Sequence, residues 1–304
     1  MSSMNSSNTA TYVVTGPTSG IGLCAALALS KYGTVILAGR NSAKLEGARA
    51  MIETEGGRAL TVVCDLSEPA SVQRAVADII ALDLPIVGLL NNAGIMPTKA
   101  SSNSLGWDLT FATNYLGPFA LTQGLIPHLS DGAKIAFVVS AIEDPERRPA
   151  KVMGMRGGRF LSIEASVRGE WLPGGARMPG VDAYATSKQC SLASTLALAR
   201  ENPRLCINAV EPGINPATGL GDMNAALRFV GQVVMRLPPF SRYRSTPERA
   251  ARVLATILTD RAGKTGIYYD EKGEPMSGST VAEDPKFQDR VVAETRAFLA
   301  RTIN

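Results

Sequence analysis

The stretch Y-V-V-T-G-P-T-S-G-I-G, Tyr12 to Gly22, sets a short apolar run directly before a glycine-rich turn and a segment of helical length. Gly16, Gly20 and Gly22 can take backbone angles closed to other residues, and they let a main chain approach a pyrophosphate. The charge of that group would then sit on the N-terminus of the following helix. Such a turn is a weak signal by itself, since a tight strand-to-helix turn without a ligand uses the same residues. Its place after a strand that opens the chain favours a phosphate loop.

Working outward, short β-type runs alternate with helical ones. Tyr12 to Thr15, Thr34 to Gly39, Ala59 to Cys64, Ile86 to Leu90, Ile135 to Ser140, Leu205 to Val210 and Ile267 to Tyr269 read as strands. Several are apolar throughout rather than alternating, which is what a parallel sheet covered on both faces requires. The pattern predicts an α/β fold with a doubly wound parallel sheet. In that architecture ligands bind beyond the carboxyl ends of the strands. The residues there are T-G-P-T-S-G-I-G (Thr15 to Gly22), N-N-A-G (Asn91 to Gly94), Ser140 and Pro212-Gly213.

The chain has 304 residues, 45% hydrophobic and 19% charged, enough apolar material for the core of one large domain. No internal repeat or low-complexity linker divides it, so a single domain over 1–304 is expected. A formal charge of +4, with basic residues dispersed, makes nucleic acid a poor candidate partner. The N-terminal M-S-S-M-N-S-S-N-T-A lacks the basic start and apolar core of a secretory signal, and no apolar run has the length of an integral membrane segment. A cytoplasmic protein is expected. Cys24, Cys64, Cys190 and Cys206 lie scattered in apolar segments without metal-ligand spacing, as free buried thiols would, and no metal site is expected.

The second strand ends Ala38-Gly39-Arg40, near the position where an NAD-binding fold places an acidic residue against the ribose 2′-hydroxyl. Arg40 offers a planar fork of donors suited to a 2′-phosphate, and no carboxylate repels that group. NADP(H) is therefore preferred, with NAD(H) remaining open. Y-A-T-S-K, Tyr184 to Lys188, sets a phenol and an ammonium four residues apart, so on a helix both point to one face.

Taken together, T-G-P-T-S-G-I-G, C-D-L (Cys64 to Leu66), N-N-A-G, F-A-T-N-Y-L-G (Phe111 to Gly117), Ser140, Y-A-T-S-K and P-G resemble the short-chain dehydrogenase/reductase family of classical type. They stand in family order over roughly residues 10 to 215, and N-N-A-G-I-M and N-Y-L-G-P-F look most like the retinol dehydrogenase and protochlorophyllide reductase-like branch. The resemblance implies a Rossmann fold and an NADP(H)-dependent oxidoreductase, a ketoreductase in type. Its substrate would be a small apolar carbonyl or secondary alcohol. By the same resemblance, Gly16, Thr18, Ser19, Gly20, Ile21 and Gly22 hold the diphosphate, Asp65 and Leu66 contact adenine, and Asn92, Ala93 and Gly94 lie beside the adenosine ribose. Pro212, Gly213 and Ile214 would flank the nicotinamide, with Thr218 near the diphosphate or amide.

Transfer of a hydride to a carbonyl leaves an alkoxide that needs a proton, and the reverse reaction needs a base. Tyr184 is expected to donate or accept that proton. A free tyrosine titrates near 10, and the neighbouring Lys188 ammonium would favour the phenolate. By resemblance Lys188 also holds the nicotinamide ribose. The Ser140 hydroxyl can bond the substrate oxygen as charge develops there. Asn114 resembles the family asparagine whose backbone holds a relay water, although it could also simply tie backbones together. A serine hydrolase is disfavoured, because His128, the one histidine, sits at a helix end in I-P-H-L-S rather than beside Ser140. A dinucleotide-binding regulatory or scaffold protein without turnover is the alternative reading.

One segment departs from the family pattern, and a second is expected from the resemblance as a flap after the sixth strand. An insertion at about 143–181 separates Ser140 from Tyr184, and long loops in compact domains are often lids. Its Met153, Met155, Phe160, Trp171, Leu172 and Met178 could line a site, or the segment could pack on the surface. A substrate flap is expected at about 214–244, with an amphipathic stretch from Asn224 to Phe240. The resemblance further implies a homodimer or homotetramer built on the Tyr–Lys helix and its neighbour, unless the insertion blocks one of those faces.

Overall fold

The computed structural model describes residues 10–147, 150–151, 154–175, 179–215 and 243–302. Met153, Met178, Thr218 and the stretch Asn224 to Phe240 lie outside the described residues, as does most of the expected flap.

Among the described residues, β1 (Thr11–Thr15), β2 (Thr34–Gly39), β3 (Arg58–Val63), β4 (Ile86–Asn91), β5 (Leu129–Val138), β6 (Cys206–Val210) and β7 (Tyr268–Tyr269) form one parallel sheet. The spatial order β3-β2-β1-β4-β5-β6-β7 winds outward in both directions from β1 and β4, which leaves a crevice at their carboxyl ends. This is the Rossmann arrangement. Each strand sits within a residue or two of its expected place except β5, which starts at Leu129 rather than Ile135. The polar Ser130-Asp131-Gly132 hid its first half, and the ladder is irregular there, with Ile86 paired to Leu129 and Gly88 to Lys134.

Unbroken apolar strands are explained by what covers them. Val13, Ile36, Leu89, Ile135 and Ile207 face one core, whereas Val14, Leu37, Leu90, Ala136 and Val210 face the other. The second core is closed by α1 (Gly20–Leu29), α2 (Ser42–Thr54) and, later in the chain, a helix at Pro247–Thr259. The first is closed by α3 (Pro69–Ala81), α4 (Gly117–Leu125) and further helices from the insertion onward. Those helices are α5 (Ile163–Val167), α6 (Pro179–Glu201) and α8 (Pro285–Thr302), α7 being the Pro247–Thr259 helix of the second core. No helix among the described residues is long and apolar enough to cross a membrane.

The C-terminal α8 lies outside this helix layer and clasps it. Tyr115 hydrogen-bonds Ser194 of α6 at 2.8 Å and Thr295 of α8 at 2.7 Å, and all three side chains are buried. Trp107 packs at a tilt against Phe298 with ring centroids 5.1 Å apart, and Phe160 of the insertion meets Phe287 edge-on at 5.4 Å. Such aromatic pairs each add about 0.5–1.5 kcal/mol beyond burial. From Gly180 to Ala199, every residue of α6 except Leu196 is buried by the chain itself. The helix expected to carry a dimer contact therefore has little face left to offer.

Candidate active site

The crevice holds a cavity of about 520 Å³. The carboxyl-end loops of β1 to β6 line it, and those after β1 and β4 are stitched together. Thr15 Oγ1 donates to the Leu90 carbonyl at 3.2 Å and accepts the N–H groups of Asn92 and Ala93 at 3.0 and 3.1 Å. Asn92 Nδ2 returns a bond to the Thr15 carbonyl at 3.0 Å. Gly16 has a φ of +65°, and a Cβ on Gly22 would fall 2.2 Å from the Gly16 oxygen, so the turn closes only without side chains there.

Of the residues singled out in the sequence, Gly16, Thr18, Ser19, Gly20, Ile21 and Gly22 line the cavity at the start of α1. Arg40, Asp65 and Leu66 line the end beyond β2 and β3. Asn92, Ala93 and Gly94 form the wall beyond β4, and Ser140, Tyr184, Lys188, Pro212 and Gly213 close the far end. Asn114 and Ile214 stand behind the wall. The Ile214 backbone pairs with Tyr243 and Ser245 at 2.8 and 3.0 Å. The Asn114 amide grips Ile95, accepting its N–H and donating to its carbonyl, both at 2.8 Å. It lies in a π-helical turn, Ala112–Leu116, and its visible work is to fix the Gly94–Ile95 backbone next to Lys188, the tying role weighed from sequence.

The Ser140 side chain lies beside the Tyr184 phenol and favours its ionised form. Lys188 donates to the Val138 carbonyl at 2.7 Å and lies 5.5 Å from the centre of the Tyr184 ring. Burial pushes the Tyr184 phenol above its ordinary range, the Glu211 carboxylate adds to this, and Ser140 opposes it. The upward displacement departs from the lowering expected from Lys188 alone, because removing a phenolate from water outweighs the attraction of a nearby ammonium. Burial draws Lys188 down to about 8, with Glu211 pulling the other way. The Cys64 thiol, also on the cavity wall, is pushed up to about 12 by burial and then by Asp65, and so stays an inert thiol.

Sequence reasoning missed Lys44 and Glu211, which both line the cavity. Lys44 stands four residues past Arg40 in the first turn of α2, whose cap Asn41 accepts the Lys44 N–H at 2.9 Å. That spacing was a usable signal. His128 is exposed before the first residue of β5 while Ser140 follows its last, so a strand of ten residues separates them. At about 3.3 Å per residue that distance rules out a Ser–His pair.

The described part of the insertion does not line the cavity. Phe160 is buried against α8, Trp171 packs on Phe111 at 6.0 Å, Leu172 is exposed and Met155 is half-buried.

The family model described as short chain dehydrogenase matches residues 10–148. Dehydrogenase/reductase SDR family member 12 of Bos taurus is 30% identical over 96% of this chain and 80% of its own length. Protochlorophyllide reductase B of Oryza sativa subsp. japonica is 25% identical over 92% of this chain and 75% of its own. Polyprenol dehydrogenase of Homo sapiens is 29% identical over 86% and 76%. Among solved structures, an uncharacterized protein from Mycobacterium Paratuberculosis superposes with a TM-score of 0.72 at 24% identity, covering 98% of this chain and 96% of that one. A short chain dehydrogenase from Burkholderia cenocepacia J2315 in complex with NADP superposes with a TM-score of 0.65 at 22% identity, over 88% and 98%. With its motifs in order at the carboxyl edge of this sheet, the chain belongs to the short-chain dehydrogenase/reductase family.

Proposed function

We propose that this protein is an NADP(H)-dependent oxidoreductase acting on an apolar carbonyl or secondary alcohol, with Tyr184 moving the proton. The observation that carries the reading is the convergence of Ser140, Tyr184 and Lys188 at one end of a cavity whose other end carries Arg40 and Lys44. A dinucleotide fits what lies between. The cradle left by Gly16 and Gly22 admits a diphosphate, and the volume suits a cofactor site. Neither Arg40 nor Lys44 is paired to an acidic side chain among the described residues, so both cations remain for a 2′-phosphate. Solved relatives of the same fold carry NADP or NADPH.

The cofactor, when bound, supplies or takes up a hydride. The protein's own groups handle charge and proton. The Ser140 hydroxyl donates to the substrate oxygen as negative charge grows on it. The Tyr184 hydroxyl, firmly protonated by burial, gives its proton to that oxygen or takes it back in the reverse direction. Lys188, fixed on the Val138 carbonyl, holds positive charge below the phenol. An apolar substrate agrees with the wall beside Tyr184, which includes Ile95, Val138, Val139 and Pro212, and with a relative named for a polyprenol. Four free cysteines suit a reducing compartment such as the cytoplasm.

The test is consumption of NADPH and NADH by the purified protein over a panel of apolar ketones, quinones and aldehydes. Turnover with NADPH supports the reading. Tight cofactor binding with no turnover across the panel supports a dinucleotide-binding regulatory protein instead.

A further inference from the structure

Glu211 is the last residue before Pro212-Gly213, and nothing in the family reaction requires a carboxylate there. Its side chain is almost fully buried yet borders the cavity. One carboxylate oxygen accepts the N–H of Ala141, the residue after Ser140. The other accepts the N–H of Gly213 at 3.1 Å. The side chain thus spans the turn that carries Ser140 and the turn that closes the far end of the cavity.

The charges around it come from every neighbouring element. Tyr184 and Lys188 face it from α6, Arg147 from the start of the insertion, Glu271 from the turn after β7, and Tyr268 from β7 itself. Glu143, beside Arg147, bears on Tyr268 from the same side. The Tyr268 hydroxyl is buried without a hydrogen-bond partner, so it leaves the carboxylate uncompensated on that side. Arg147 opposes it from the start of the insertion, which gives the insertion a place in the site's electrostatics although its described part lines none of the cavity.

We propose that Glu211 is a positioning residue: it fastens the Ser140 turn to the Pro212–Gly213 turn and holds negative charge beside Tyr184, so that the phenol keeps its proton and the site favours donating it. The inference deepens the oxidoreductase reading and rests on Tyr184 being the acid. A carboxylate near a phenol opposes a second negative charge, and Lys188 alone would pull the other way. Burial holds the Glu211 proton up to about 7, so the effect grows as the pH rises past neutrality.

The experiment is a pH titration of cofactor-free protein labelled with carbon-13 at the tyrosine hydroxyl-bearing carbon. The Tyr184→Phe variant identifies the Tyr184 signal among the seven tyrosines. In Glu211→Gln the Tyr184 phenolate is expected to set in about one pH unit lower than in the wild type. Glu211→Asp keeps the charge but is too short to reach both N–H groups, and its titration should follow the wild type. Should circular dichroism find Glu211→Gln unfolded, Glu211→Ala removes the charge without setting an amide donor against a backbone N–H, and the same shift is expected. Onset at the same pH with and without the carboxylate, onset in neither, or an aspartate that behaves as glutamine does would each overturn the proposal. Because no turnover is needed, failure here is distinct from failure to find a substrate.

Discussion

Lys188 donates its ammonium to the main-chain carbonyl of Val138 at 2.7 Å. That bond ties the helix of the candidate acid to the strand that delivers Ser140, and it fixes a cation 5.5 Å from the Tyr184 ring. Lys188→Met should retain the fold while lowering kcat at least about 100-fold, the lower range for loss of a proton-transfer contribution. Steady-state kinetics with NADPH checks it, and an unchanged kcat would show that the ammonium plays no part in the proton's path.

At the other end of the cavity, Arg40 and Lys44 should divide NADPH from NADH. Replacing both with alanine removes charge-assisted bonds worth about 1.5–3 kcal/mol each when well made. The KM for NADPH should rise at least about 100-fold while that for NADH barely moves. Equal losses for the two cofactors would mean that these cations do not read the 2′-phosphate.

Glu143 is fully buried and accepts both the N–H and the hydroxyl of Ser279. Burial holds its proton up to about 7 against an ordinary value of 4.5, with Ser279 opposing. The folded protein thus keeps a proton that the unfolded chain releases between about pH 4.5 and 7, so stability falls as pH rises through that window. The effect is on the order of 3 kcal/mol. Glutamine can accept the Ser279 N–H and donate to its hydroxyl oxygen. Glu143→Gln should therefore gain in Tm over the wild type on going from about pH 5 to about pH 8, and a constant gap would remove Glu143 from the account.

α6 is buried along nearly its whole described length, and α4 beside it has no exposed residue. Arg296 of α8 reaches Gln123 of α4 at 2.9 Å and Glu201 of α6 at 2.6 Å, bridging both helices from outside. The face that the family resemblance gives to subunit pairing is thus covered in part by α8. Sedimentation should give a mass near 32.0 kDa, and twice that mass would contradict the reading.

How much of this could be read from the sequence differs by residue. β1, β2, β4 and β6 were legible because apolar runs covered on both faces look like nothing else at that length. Tyr184 and Lys188 were legible because helical spacing alone puts them on one face. Glu211 was not, since a carboxylate before Pro-Gly reads as a solvated turn until the Ala141 N–H is found against it. The insertion's aromatic residues suggested a cavity lining, and only the folded chain reveals that Phe160 buries against α8 and Trp171 packs on Phe111. Asn114 was found by its motif, but its grip on Ile95 depends on a π-helical turn that local pattern does not encode.

The most direct test of the central claim compares the wild type with Tyr184→Phe in NADPH-dependent reduction of one accepted carbonyl, with NADPH affinity measured alongside. Loss of the phenol's proton alone predicts a kcat lowered about 100- to 10,000-fold with cofactor affinity little changed. A variant that turns over at the wild-type rate would contradict the assignment of Tyr184 as the acid and the mechanism with it.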